Sequence, residues 1–113
     1  MRKRHEGRDP HMASAGSVPI YLLFANEQSG TITLDFVLAE EAQRSDGSTI
    51  SAGQPFAASF TQLSGCSMGQ TMRTLENWAA RSRTVQAVSG VDAESRHLLV
   101  LSQDDRQVVL EYW

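Results

Sequence analysis

The residues with the clearest chemical potential are Gly65-Cys66-Ser67-Met68-Gly69, which fit the spacing G-x-S-x-G. Two glycines flanking a serine in this way let the backbone turn sharply from strand into helix and leave the hydroxyl exposed on the turn. In that setting Ser67 is a candidate nucleophile. The Met68 N–H, at a helix N-terminus, is a candidate oxyanion donor for acyl chemistry. A serine hydroxyl needs a base to become nucleophilic, and the only histidine after residue 12 is His97. Cys66 stands where a helix N-terminus would lower a thiol pKa, and a Cys66–His97 pair is a second conceivable nucleophile. Read plainly, Ser67 is a helix start and Cys66 a small buried thiol lining the turn.

The elements that must position these residues follow from periodicity. Val18 to Ala25 is a near-continuous apolar run of the kind found in strands buried on both faces. Asn26 to Gly30 is turn-like. In Thr31 to Arg44, Ile32, Leu34, Phe36 and Leu38 alternate as in a strand, while Asp35 to Arg44 also fits a helix; a strand-like start with a helical end is expected. Ser45 to Pro55 reads as a loop and Phe56 to Leu63 as a strand. The best helix runs from about Met68 to Arg83, with Met68, Met72, Leu75 and Ala79 on one stripe beside Trp78, and Gln70, Arg73, Asn77 and Arg81 facing away. Thr84 to Val91 and His97 to Ser102 are further strands, Gln103 to Arg106 is a turn, and Gln107 to Trp113 is apolar again. These elements predict an α/β domain of about four to six strands and one or two helices. An α+β domain with an antiparallel sheet is the alternative. Only about five residues, Asp92 to Arg96, separate the strands near Val88 and Leu99, whereas a parallel crossover needs a dozen or more.

Leu63-Ser64-Gly65-Cys66-Ser67-Met68-Gly69, with the helix that follows, resembles the nucleophile elbow of the α/β-hydrolase family. The stretch from Leu98 to Val109, through Asp104-Asp105, is similar to that family's acid-bearing strand and turn, and Pro19 to Phe24 to the strand leading into its oxyanion loop. The resemblance implies an esterase-type serine hydrolase unit. Ser67 would be the nucleophile, Asp105 the acid (Asp104 second), and Met68 and the Asn26 region the oxyanion donors, acting on a small acyl substrate. The family's histidine follows the acid, and none follows Asp105; His97 precedes it and would serve from an unusual position. That departure leaves a truncated or inactive unit as a form of the same reading. The rival reading is a non-catalytic interaction domain. Here the apolar C-terminal strand, with Val109, Tyr112 and Trp113, forms an open edge that pairs with a second copy or a protein partner.

Composition bounds both readings. The 113 residues suit one domain, with residues 13–113 as its body and residues 1–12, basic and poor in apolar side chains, as an expression tag or disordered tail. After residue 12 there are 6 Arg, no Lys and 11 carboxylates, a net charge of −5. This disfavours a duplex-binding surface, and Arg73, Arg81 and Arg83 read as a solvated helix face. One cysteine excludes an internal disulfide, and one body histidine with scattered carboxylates gives no metal-ligand spacing. No cofactor motif is present. No apolar run is long enough to span a membrane. The lone cysteine and the lack of a signal-peptide pattern favour a cytoplasmic setting.

Overall fold

The computed structural model describes residues 17–44, 46–63 and 65–112; the tail of residues 1–12 and the Trp113 edge contact lie outside them. In chain order the elements are β1 (Val18–Gln28), β2 (Thr31–Leu38), β3 (Ala42–Gln43), β4 (Thr49–Ile50), β5 (Pro55–Gln62), α1 (Met68–Arg81), β6 (Val85–Val91), β7 (His97–Gln103) and β8 (Arg106–Tyr112). Six strands close into a barrel in the order β1-β2-β5-β8-β7-β6, every pairing antiparallel. β1, β2 and β5 are successive neighbours, and β6 returns through α1 to lie beside β1, which is a Greek key.

The fold is therefore β-rich and antiparallel, not the α/β sheet the sequence suggested. The cause lies in the connections. Ser29-Gly30 and the five residues from Asp92 to Arg96 are too short to carry a chain back to the start of a parallel neighbour, so β1–β2 and β6–β7 close as hairpins. The antiparallel sheet of the α+β alternative is present, but it curls into a closed barrel with a single described helix packed against β1, so the fold is β-rich.

Period-two patterning built the interior. Ile32, Leu34, Phe36 and Leu38 of β2 all point inward and are buried. This alternation overrides the helical end expected for Asp35 to Arg44, which instead finishes β2 and enters the small β3–β4 hairpin, with Ile50 buried in the core. Ile20, Phe60, Val85, Leu99, Leu101 and Leu110 complete the barrel interior. Phe36 stacks on Phe56 with ring centroids 5.6 Å apart, and Phe60 meets Tyr112 edge-on.

β1 is not buried on both faces as expected. A bulge between Leu22 and Phe24 turns two consecutive side chains outward, leaving Leu23 55% and Phe24 57% exposed. β1 also continues through Asn26 to Gln28, so the turn is only Ser29-Gly30, both at positive φ. α1 inserts Thr71, Leu75 and Trp78 into the core, at successive spacings of four and three residues, and packs against β1.

Candidate ligand-binding cleft

The loop from β5 into α1 is fixed at both ends. The Leu63 N–H donates to the Val109 carbonyl at 3.0 Å, and the Gln62 side-chain amide donates to the Cys66 carbonyl. Ser67 is the N-cap: its backbone is extended, with φ −67 and ψ 160, and its hydroxyl accepts the Gln70 N–H at 3.1 Å. Ser67 itself thus lacks the backbone strain that the G-x-S-x-G reading anticipated. A Cβ at Gly69 would make only ordinary contacts, 3.7 Å from Arg73 Nη1 and 4.0 Å from Ser67 Oγ, so the packing does not demand the second glycine. Arg73 folds back over the start of its own helix.

The site residues expected from sequence come together only in part. Cys66 and Asp105 line the same cleft, and Ser67 and Met68 follow directly at the helix start. Cys66 is exposed, not a buried thiol. It borders the Arg106–Val108 end of β8, whereas His97 pairs with Tyr112 at the other end, six residues further along the strand. From Val108, the nearest of these, four residues remain, about 13 Å at the rise of an extended chain, beyond the reach of a general base. The His97 ring lies against Tyr112, centroids 5.7 Å apart. Asn26 pairs with Thr33 on an exposed stretch of β1 and bonds to neither Ser67 nor Met68 among the described residues.

The C-terminal strand is not open along its whole length as the interaction reading expected. β8 pairs with β7 from Arg106 to Tyr112 and with β5 through Glu111 and Leu110. Barrel closure leaves only its first residues without a partner on the β5 side.

A different set of residues does converge. A cleft of about 510 Å³ runs between the outward face of α1 and the β7–β8 turn. Its helical wall carries Gln70, Arg73, Asn77 and Arg81; its other wall carries Gln103, Asp104, Asp105 and Arg106. Gln103, only 8% exposed, is locked by donating its side-chain amide to the Thr84 carbonyl at 3.1 Å. Three of the six arginines after residue 12 line this cleft. Among the described residues none of the three forms an ion pair with a carboxylate. Arg81 only approaches the Asn77 side-chain Oδ1, at 3.5 Å. Asp104, the carboxylate nearest a cation on the rim, faces Arg83 at 4.0 Å. The cleft thus gathers three guanidinium groups against two carboxylates, a net charge of +1, on a chain whose body is acidic.

Arg73 and Arg81 were visible in the sequence as a helix face, but they read as solvated. Their partner Arg106 joins them only through the β7–β8 hairpin, which sequence spacing does not show. No group of histidine, cysteine and carboxylate side chains able to hold a metal occurs among the described residues, and no described helix is long and apolar enough to cross a membrane. No protein family, curated protein or solved structure matches this chain.

Proposed function

We propose that this protein is a small binding domain whose site is the α1/β7–β8 cleft and whose ligand is an anion. The observation that carries the reading is the meeting of Arg73, Arg81 and Arg106 around one concavity, none paired with a carboxylate among the described residues. A guanidinium left unpaired in a body of net charge −5 forgoes many available carboxylates. Gathering three of them around a concavity raises the local potential for an incoming anion and offers forked donors to its oxygens. Gln70, Asn77 and Gln103 add neutral groups that fix orientation. Binding is preferred to ester hydrolysis because Ser67 is engaged as a helix cap and the only body imidazole lies at the far end of β8.

The test is a titration with citrate, a compact tricarboxylate, followed by the Nε–H resonances of the arginines in a ¹⁵N-labelled sample. Saturable shifts of Arg73, Arg81 and Arg106, lost in an Arg73→Gln/Arg81→Gln double variant and weakened by salt, are expected. Shifts spread evenly over all six body arginines, or none, would overturn the reading.

A further inference from the structure

We infer that the cleft takes an extended acidic peptide, laid as an added strand along the free start of β8 with its carboxylates on the α1 arginines. This rests on the anion-binding reading and narrows its ligand.

The first observation is a backbone one. The Val109 carbonyl points toward β5, where it accepts the Leu63 N–H. Backbone groups two residues apart in a strand point the same way, so the N–H and C=O of Gln107 face that side too. β5 ends at Gln62 and its pairing with β8 stops at Leu110. No described residue after Gln62 continues the β5–β8 ladder as a strand, and α1 begins at Met68. Among the described residues no backbone or side-chain group bonds to the Gln107 N–H or C=O on that side. In their place is a second concavity, lined by Cys66, Thr71, Thr74, Asp105, Gln107 and Val108, that shares Cys66, Thr74, Asp105 and Arg106 with the main cleft. One groove thus has an unpaired strand start as its floor and the polar face of a helix as its wall. That is the geometry in which a peptide adds to a sheet edge while a helix reads its side chains.

The second observation is spacing. Arg73 and Arg81 lie eight residues apart on α1 and line the same wall, a separation of about 12 Å along the axis. An extended peptide covers this distance in about four residues. Side chains four apart also point to the same face of a strand, so two carboxylates at that interval can each meet one guanidinium.

The third observation selects peptide over nucleic acid. The groove also carries Asp104, Asp105 and the Gln107 carbonyl, all acceptors. A strand of phosphodiesters places a charge at every step and has few backbone donors for them, whereas a peptide offers an N–H at every residue and a charge only where a carboxylate stands.

The experiment uses a capped eight-residue peptide with two glutamates four positions apart, a control peptide with the glutamates adjacent, and an eight-nucleotide thymidine oligomer. Each is titrated into the full chain, followed by calorimetry and by exchange of the Gln107 amide. The spaced peptide is expected to bind more tightly than the control and to slow exchange at Gln107. Arg73→Gln and Arg81→Gln, both exposed positions, should each weaken it about fivefold or more. Gln107→Pro, which removes the free N–H at an edge position, should weaken the spaced peptide while leaving citrate binding intact. Equal binding of both peptides with no change at Gln107, or binding of the oligomer alone, would overturn the peptide inference while keeping the anion site. Failure of peptides, oligomer and citrate together would overturn both readings.

Discussion

Asp105 and His97 stand at opposite ends of one hairpin: Asp105 in the two-residue turn between β7 and β8, His97 at the foot of β7 against Tyr112. An acid and a base held apart by a full strand length cannot share a proton relay, and Ser67 lies on the Asp105 side with its hydroxyl turned to the Gln70 N–H. A fluorophosphonate probe should therefore leave Ser67 unlabelled in the folded protein; stoichiometric labelling would restore the nucleophile. Replacing Ser67 by Ala should act as the loss of a helix cap and cost about 1 kcal/mol, read from the urea midpoint.

The β6–β7 turn is organised by one carboxylate. Asp92 Oδ1 accepts the N–H groups of Arg96 and Glu94, each at 2.9 Å, and Oδ2 accepts Arg96 Nε at 2.8 Å. The Arg96 backbone N–H above all, then its guanidinium and the Glu94 N–H, hold the Asp92 carboxyl below the usual carboxylate range. A pKa lower in the folded than in the unfolded chain gives stability that is present above the unfolded value of about 4 and fades as pH falls through the folded one. Asp92→Asn should thus lower the urea midpoint near neutral pH, and the difference from the parent should narrow steadily as pH falls below the unfolded value of about 4. A difference that persists there would assign the effect to amide geometry rather than charge.

Much of the frame was legible because each strand carries its own period. Ile32 to Leu38 alternates cleanly, and the Met68–Arg81 helix shows its stripe in Leu75 and Trp78. What escaped depends on pairing between distant segments. The bulge that exposes Leu23 and Phe24 is a register event between β1 and β2, invisible in an apolar run. Closure of the barrel, which pairs Leu110 and Glu111 of β8 with β5, needs the two strands to meet across nearly fifty intervening residues. The G-x-S-x-G spacing did locate a strand-to-helix turn, but the same residues serve a capped helix with Arg73 lying over Gly69. The cleft was illegible for a related reason: Arg106 meets Arg73 and Arg81 only after the hairpin folds back.

The helix matters to the barrel through very few side chains, which makes its removal measurable. Leu75 is completely buried at the centre of the inward stripe, between Thr71 and Trp78. Leu75→Ala should cost about 2–5 kcal/mol through lost burial and the cavity left behind. Against a typical total of about 5–15 kcal/mol, the variant should show a large fall in urea midpoint by circular dichroism. A loss below about 1 kcal/mol would mean that α1 packs on a barrel already stable without it, and would weaken the case for a rigid helical wall to the cleft.

The end of that helix offers a change in the opposite direction. Ser82 closes α1 in the left-handed region, φ 54 and ψ 36, with its N–H donating to the Ala79 carbonyl at 3.3 Å. An L-residue with a Cβ is strained there and glycine is not. The Ser82 side chain is exposed, so little packing is lost with it. The strain relieved, about 1–2 kcal/mol, is partly offset by the extra freedom of glycine in the unfolded chain, about 0.5–1 kcal/mol. Ser82→Gly should therefore stabilise the protein by roughly 0.5–1 kcal/mol, seen as a higher urea midpoint with an unchanged slope. Because Arg81 and Arg83 flank this position, citrate binding by the same variant is a sensitive check on the cleft wall. Unchanged affinity is expected if the cap geometry is retained, and a loss of affinity without a loss of stability would show that the helix end had moved.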